Sequence, residues 1–185
     1  MEEALRVLKE LFAEEPATFS GNSYAVSDLA GAPKPAQQPH PPILVGGGGR
    51  RVLSIAAREA DIVSLSVRTR PDGQHWSTAS EAATAQKLEW IRQAADDRFD
   101  ELELNVMVYA PIVTDDRPQV ARQMVARYEL TEDEVLGSPH FLIGSVDQIG
   151  EDLQRHRERH GISYFAVPEV FSEAFAPVVA QLAGT

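Results

Sequence analysis

The residues whose types and spacing best suit chemistry lie in one short run, Pro42-Ile43-Leu44-Val45-Gly46-Gly47-Gly48-Gly49-Arg50-Arg51. A buried strand, four glycines and two arginines opening a helix are the ingredients of an anion site. Glycine permits close backbone approach and unusual φ/ψ values, and a helix N-terminus presents unpaired N–H groups with partial positive charge. A guanidinium adds a charge-assisted contact to phosphate. The alternative is a glycine-rich βα loop with solvated arginines. Two nucleotide motifs are not met. No Gly-Lys-Ser/Thr follows, as a P-loop requires, and the dinucleotide fingerprint counted from Gly46 or Gly47 puts Arg51 or Val52 where its third glycine belongs. Use of NAD(P) is therefore disfavoured.

Other clusters have plainer explanations. His156 and His160 stand i, i+4 on an expected helix, a spacing that suits a metal. Arg155, Arg157, Glu158 and Arg159 mark that helix as solvated, and His-Arg-Glu-Arg-His places its glutamate one position away from the zinc-protease pattern, so no metal site is assigned. His40 falls in a proline-rich connection, His75 beside Trp76 in a polar loop and His140 after Pro139; all three read as surface histidines, with His75 and Trp76 as substrate-side candidates. Trp90, near Leu88 and Ile91, reads as helix packing. Asp115 or Asp116 suits a helix N-terminus, Asp96-Asp97 a polar turn, and Glu132, Asp133 and Glu134 the first turn after Thr131. There is no cysteine, which excludes disulfides, thiolate metal sites and thiol nucleophiles. No catalytic residue can be assigned from spacing, because triads are recognised by geometry.

The elements that must position the glycine run follow from periodicity. Of 185 residues, 43% are hydrophobic and 24% charged, enough for a buried core. The net charge of -11 argues against nucleic acid and anionic lipid as partners. The N-terminus is acidic without an apolar signal core and no apolar run is long enough to span a bilayer, so a cytoplasmic location is expected. Residues 1–15 form an amphipathic helix through Leu5, Leu8, Leu11 and Phe12, ended by Pro16. Residues 16–41 form a proline-rich connection with a short hairpin about Gly21-Asn22. Residues 42–185 alternate strands with helices as four β/α units in a single domain. The strands are Ile43 to Val45, Asp61 to Leu65, Leu102 to Val113 and Ile162 to Val167. The helices are Arg50 to Glu59, Ser80 to Asp96 with Ser80 as cap, Pro118 to Tyr128, a short one from Thr131, Ser145 to His160 closed by Gly161, and a last one from Ser172. A closed (β/α)8 barrel needs about eight strands, so the pattern describes half a barrel or an open sheet.

The block Pro42 to Val63 resembles the fifth-to-sixth-strand segment of the luciferase-like flavin and deazaflavin oxidoreductases. Leu5 to Tyr24 is similar to that family's helix and insertion before strand five. Phe141-Leu142-Ile143-Gly144-Ser145-Val146-Asp147-Gln148-Ile149 resembles the start of its late helix, and Gly161 to Val167 its eighth strand. The resemblance implies an α/β fold, the C-terminal half (units five to eight) of a luciferase-like (β/α)8 TIM barrel. It implies hydride transfer through coenzyme F420 or FMN, with oxygen activation in some members, on a small-molecule substrate. Gly46, Gly47, Gly48, Gly49 and Arg50 would then hold the cofactor phosphate, the deazaflavin branch being the nearer match, and Ser64, Ser66 and Tyr109 would face the pocket. The family's first four units have no counterpart here. Uncovered strand edges imply a homo-oligomer or pairing with another half-barrel chain, and the alternative function is a catalytically incomplete subunit or binding module.

Overall fold

A computed structural model describes residues 1–183. In chain order the elements are α1 (Glu2–Phe12), β1 (Ala17–Ser20), β2 (Ala25–Leu29), β3 (Leu44–Gly47), α2 (Arg50–Glu59) and β4 (Ile62–Leu65). Then come β5 (Arg68–Arg70), β6 (Gly73–His75), α3 (Glu81–Ala95), β7 (Glu103–Met107), β8 (Ala110–Val113), α4 (Arg117–Tyr128) and α5 (Glu132–Leu136). The chain continues with β9 (Phe141–Gly144), α6 (Val146–His160), β10 (Ile162–Ala166) and α7 (Ser172–Leu182).

The alternation of short apolar strands with helices gives a parallel sheet of spatial order β3-β4-β7-β10. On one face Val63, Leu65, Leu104, Val106 and Ile162 pack against Leu53, Ala56, Ala57 and Ala60 of α2 and Leu88, Ile91 and Ala95 of α3. The small alanines let α2 come close to the strands. Register places Gly46 beside Ser64, Ser64 beside Asn105 and Asn105 beside Tyr164, a row crossing the sheet at one level. The edges are bare: β3 and β10 each have a strand on one side only among the described residues, and Leu44, Met107 and Tyr164 are exposed.

Helix starts follow the sequence signals. Ser80 accepts from Ala83 N–H, and Asp116 from Gln119 N–H. Thr131 with Glu134, and Ser145 with Gln148, form reciprocal capping boxes. Gly161, at φ 70°, closes α6 in the left-handed conformation that glycine adopts without strain. The hairpin about Gly21-Asn22 is present as antiparallel β1 and β2, and Glu3 of α1 anchors it by accepting from the N–H groups of Asn22 and Ser23.

Three expectations need correction. The strand expected over Leu102 to Val113 is two strands, because the backbone changes partner at its middle: Val108 N–H donates to Ala166 O, whereas Tyr109 N–H donates to His140 O. Its second half pairs in parallel with β9, which the sequence presents as a short lead into α6. The polar loop after β4, containing Arg68, Arg70, Asp72 and Gly73, is a β-hairpin, β5 with β6, turned at Pro71-Asp72, and Gly73 opens its second strand with φ 123°. Polar residues on both strands conceal it from an apolar-alternation test.

Candidate functional site

The glycine run occupies the C-terminal end of β3 and the turn into α2, so Gly46 and Gly47 are strand residues and only Gly48 and Gly49 form the loop. Gly49 is the N-cap of α2, with φ -122° and ψ 153°; no side chain caps that first turn and no acidic residue lies in it. A cavity of about 680 Å³ opens here, lined by all four glycines, Arg50, Arg51, Val52, Ser66, Val67, Arg68, Thr69 and Trp90. Three guanidinium-bearing residues and no carboxylate line it, in a chain of net charge -11. The physics of uncapped helical N–H groups and nearby guanidiniums favours an anion there.

The structure gives a different reason for the glycines than backbone freedom. None of Gly46 to Gly49 has a positive φ; space is what they supply. A Cβ on Gly48 would lie 2.5 Å from Arg68 N and 2.6 Å from Arg68 Cα, and one on Gly47 would lie 2.5 Å from Val52 Cγ1. Gly47 therefore lets α2 pack on the strand end, and Gly48 lets the chain leaving β4 cross the loop. On Gly49 a Cβ meets only Arg68 Nε, at 3.9 Å, so Gly49 is the residue that leaves open the approach to the helix N-terminus.

That crossing brings in residues that sequence reasoning left in a polar loop or a helix core. Arg68 is exposed beside Gly48 and Gly49, and Trp90 of α3 both packs on the core and lines the cavity. Arg68 N–H donates to Thr78 Oγ1 at 2.9 Å, and Thr78 Oγ1–H donates to His75 O at 2.7 Å. Beneath them Lys87 is 1% exposed, its Nζ donating to Ser66 O at 2.8 Å and to Thr78 O at 2.7 Å. Burial pushes its pKa down to about 8. A lysine flanked by Ala85, Gln86 and Leu88 gives no sequence signal that its ammonium points inward.

Of the residues expected to face the pocket, Ser66 lines it. Ser64 is buried, its Oγ–H donating to Asn105 Oδ1 at 2.6 Å while Asn105 Nδ2 donates to Tyr164 O. Tyr109 accepts Val67 N–H at 3.3 Å and packs edge-on against Trp76, so it supports the pocket wall from behind. Trp76 joins Tyr128 and Phe141 in an aromatic cluster, and His75 pairs with Asp72 at 3.1 Å.

Two histidines expected at the surface are interior. His140 is fully buried; its Nδ1 donates to Met107 O at 2.8 Å, since a carbonyl only accepts, which leaves Nε2 without a partner. Desolvation, followed by the nearby charge of Lys87, lowers its pKa to about 3. His156 is 1% exposed, with neither ring nitrogen partnered, and burial holds it near a pKa of about 3 as well. The arginines around it do face solvent, but His156 and His160 are on the inward stripe of α6, their rings stacked 5.9 Å apart. Among the described residues no group of three His, Cys, Asp or Glu is placed to hold a metal, and no helix is long and apolar enough to cross a membrane.

A parallel sheet packed with helices, with a basic pocket at the C-terminal end of a strand, is an arrangement shared by β/α barrels and open α/β sheets. The chain belongs to the luciferase-like monooxygenase family, whose pattern it matches over residues 1–185. It is 38% identical over 60 residues to an FMNH2-dependent dimethylsulfone monooxygenase of Pseudomonas putida, a match covering 32% of this chain and 16% of that protein. Its fold is similar to that of the monooxygenase RslO1 from Streptomyces bottropensis, with a TM-score of 0.64 at 18% identity, over 98% of this chain and 59% of that one. An F420-dependent secondary alcohol dehydrogenase, solved with an F420-acetone adduct, superposes with a TM-score of 0.57 at 17% identity, over 95% of this chain and 60% of that one. The chain thus spans about three fifths of the length of these structural relatives.

Proposed function

We propose that residues 1–185 form a single partial-barrel domain, units five to eight of a luciferase-like (β/α)8 barrel. In this proposal Gly46, Gly47, Gly48, Gly49 and Arg50 hold the phosphate of coenzyme F420 or FMN. The observation that carries it is the cavity at the C-terminal end of β3: uncapped helical N–H groups, three arginines and no carboxylate, at the barrel face where such enzymes bind phosphate. The bound cofactor would supply hydride transfer, extended in the monooxygenase case to oxygen activation, for a small-molecule substrate in the cytoplasm. The chain's own part is to bind the phosphate through backbone N–H groups and Arg50, to add Arg51 and Arg68 as neighbouring positive charge, and to offer Trp90 as an apolar wall. The ionisable side chains lining the pocket are all arginines, so no catalytic acid or base is assigned. The test is Arg50→Ala, which should weaken F420 or FMN binding about tenfold, the equivalent of one charge-assisted contact. Unchanged affinity for a cofactor that does bind would remove the site from the glycine run.

The bare sheet edges support a second reading, in which this chain is a half-barrel subunit that functions only when another chain, a second copy or a different half-barrel, covers β3 and β10. A groove of about 740 Å³ beside β10, lined by Tyr164, Phe165, Val167, Phe175, Val178 and Leu182, would be covered in that assembly. Sedimentation of the purified chain distinguishes the two: a monomer that binds cofactor supports the first reading, and a dimer that loses binding on dilution supports the second.

A further inference from the structure

Lys87 is buried without a counter-ion: no carboxylate lies within ion-pair distance of it among the described residues, and desolvation lowers its pKa. An ammonium in that position is costly, and a methionine of similar length would fill the space with less loss. The charge does something an apolar side chain would not. Its two hydrogen bonds go to Ser66 O, where the chain leaves β4, and to Thr78 O, just before α3. Those carbonyls are the two ends of the excursion that forms the β5–β6 hairpin. The hairpin begins with Arg68, whose N–H is held by Thr78 Oγ1 and whose backbone lies so close to Gly48 that no Cβ fits between them.

We propose that Lys87 is a positioning residue for the anion site, clamping both ends of the β5–β6 hairpin so that Arg68 stands beside Gly48 and Gly49 as a second guanidinium for the bound phosphate. This rests on the proposed role of the glycine run. The titratable group near Lys87 from the turn just before β9 is His140, which burial keeps neutral throughout the range in which Lys87 loses its proton, and Tyr109 packs on His140 from the β7–β8 junction. Deprotonation of Lys87 replaces two charge-assisted bonds with weaker neutral ones, so the hold on Arg68 loosens above the lysine's own pKa.

The experiment is a fluorescence titration with FMN and with F420 on the wild-type chain, Arg50→Ala, Arg68→Ala, Lys87→Met and the Lys87→Met/Arg68→Ala double variant. Arg68→Ala should weaken binding about tenfold and Lys87→Met by a similar factor, with the double variant no weaker than Arg68→Ala, because the lysine acts through the arginine. In the wild type, affinity should also fall between about pH 7.5 and about pH 9.5, where a phosphate ester no longer changes charge, and this fall should vanish in Arg68→Ala. Lys87→Met that binds as tightly as wild type, or that adds its full effect in the Arg68→Ala background, overturns the proposal. If circular dichroism shows Lys87→Met unfolded, the pH comparison between wild type and Arg68→Ala decides alone: equal slopes overturn it. Should Arg50→Ala weaken binding while the Lys87 variants do not, the glycine site stands and only the clamp fails. If wild type binds neither cofactor, the glycine-site reading fails and the clamp with it.

Discussion

Acid should destabilise this fold before its carboxylates protonate, because His140 and His156 are buried in the neutral form. Burial is the leading cause for both; for His140 the charge of Lys87 adds to it, and for His156 that of Arg155. Each has a pKa of about 3 in the native chain, well below the ordinary histidine value of about 6.5. The unfolded chain therefore takes up protons below its own histidine pKa while the native chain does not. The stability is fully present above about pH 6.5 and is lost progressively as the pH falls toward about 3. Each such histidine costs about 1.4 kcal/mol per pH unit, so lowering the pH from about 6.5 to about 5 removes about 2 kcal/mol for each, or about 4 kcal/mol together. That is a large share of the ~5–15 kcal/mol typical of a domain. Urea unfolding followed by circular dichroism at several pH values above about 5, where carboxylates contribute little, measures the slope. His156→Leu removes two unpartnered ring nitrogens. It should raise stability near neutral pH and lower the slope by close to one proton; an unchanged slope would show that His156 is hydrated or charged in the native state.

The glycines separate packing from binding. Gly48→Ala forces a methyl against backbone atoms of Arg68 and Val67, and should cost about 1–3 kcal/mol in denaturant titrations as well as cofactor affinity. Gly49→Ala has room; its stability should stay within about 1 kcal/mol of wild type while the cofactor binds more weakly, and equal binding would show that the anion does not approach there. Ser64→Ala leaves Asn105 Oδ1 buried without the hydroxyl that donates to it, at an expected cost of about 1–3 kcal/mol by urea melt. Ser145→Ala breaks the capping box of α6 and should cost about 1 kcal/mol.

What could be read from the residues was whatever depends on local pattern. The α2 helix begins at Arg50 and ends at Glu59 as expected, because an apolar stripe and an uncapped glycine turn are both local signals. Ser80, Thr131 and Gly161 mark helix ends for the same reason. What stayed hidden depends on partners far along the chain. The break between β7 and β8 arises because Ala166 and His140 compete for neighbouring N–H groups. His140, after Pro139, looks like loop material until β9 is seen to pair with β8 and carry it inside. The site divides in the same way. Its glycines and Arg50 stand together in sequence, whereas Arg68 reaches them across a strand pairing, and nothing local marks Lys87 as the side chain beneath them.

The most direct test of the anion site is an equilibrium titration of the folded wild-type chain with coenzyme F420 and, in parallel, FMN, followed by cofactor fluorescence with and without inorganic phosphate. Saturable binding that phosphate weakens by competition is the predicted result. A folded chain that binds neither cofactor, or binds one with no effect of phosphate, would contradict it.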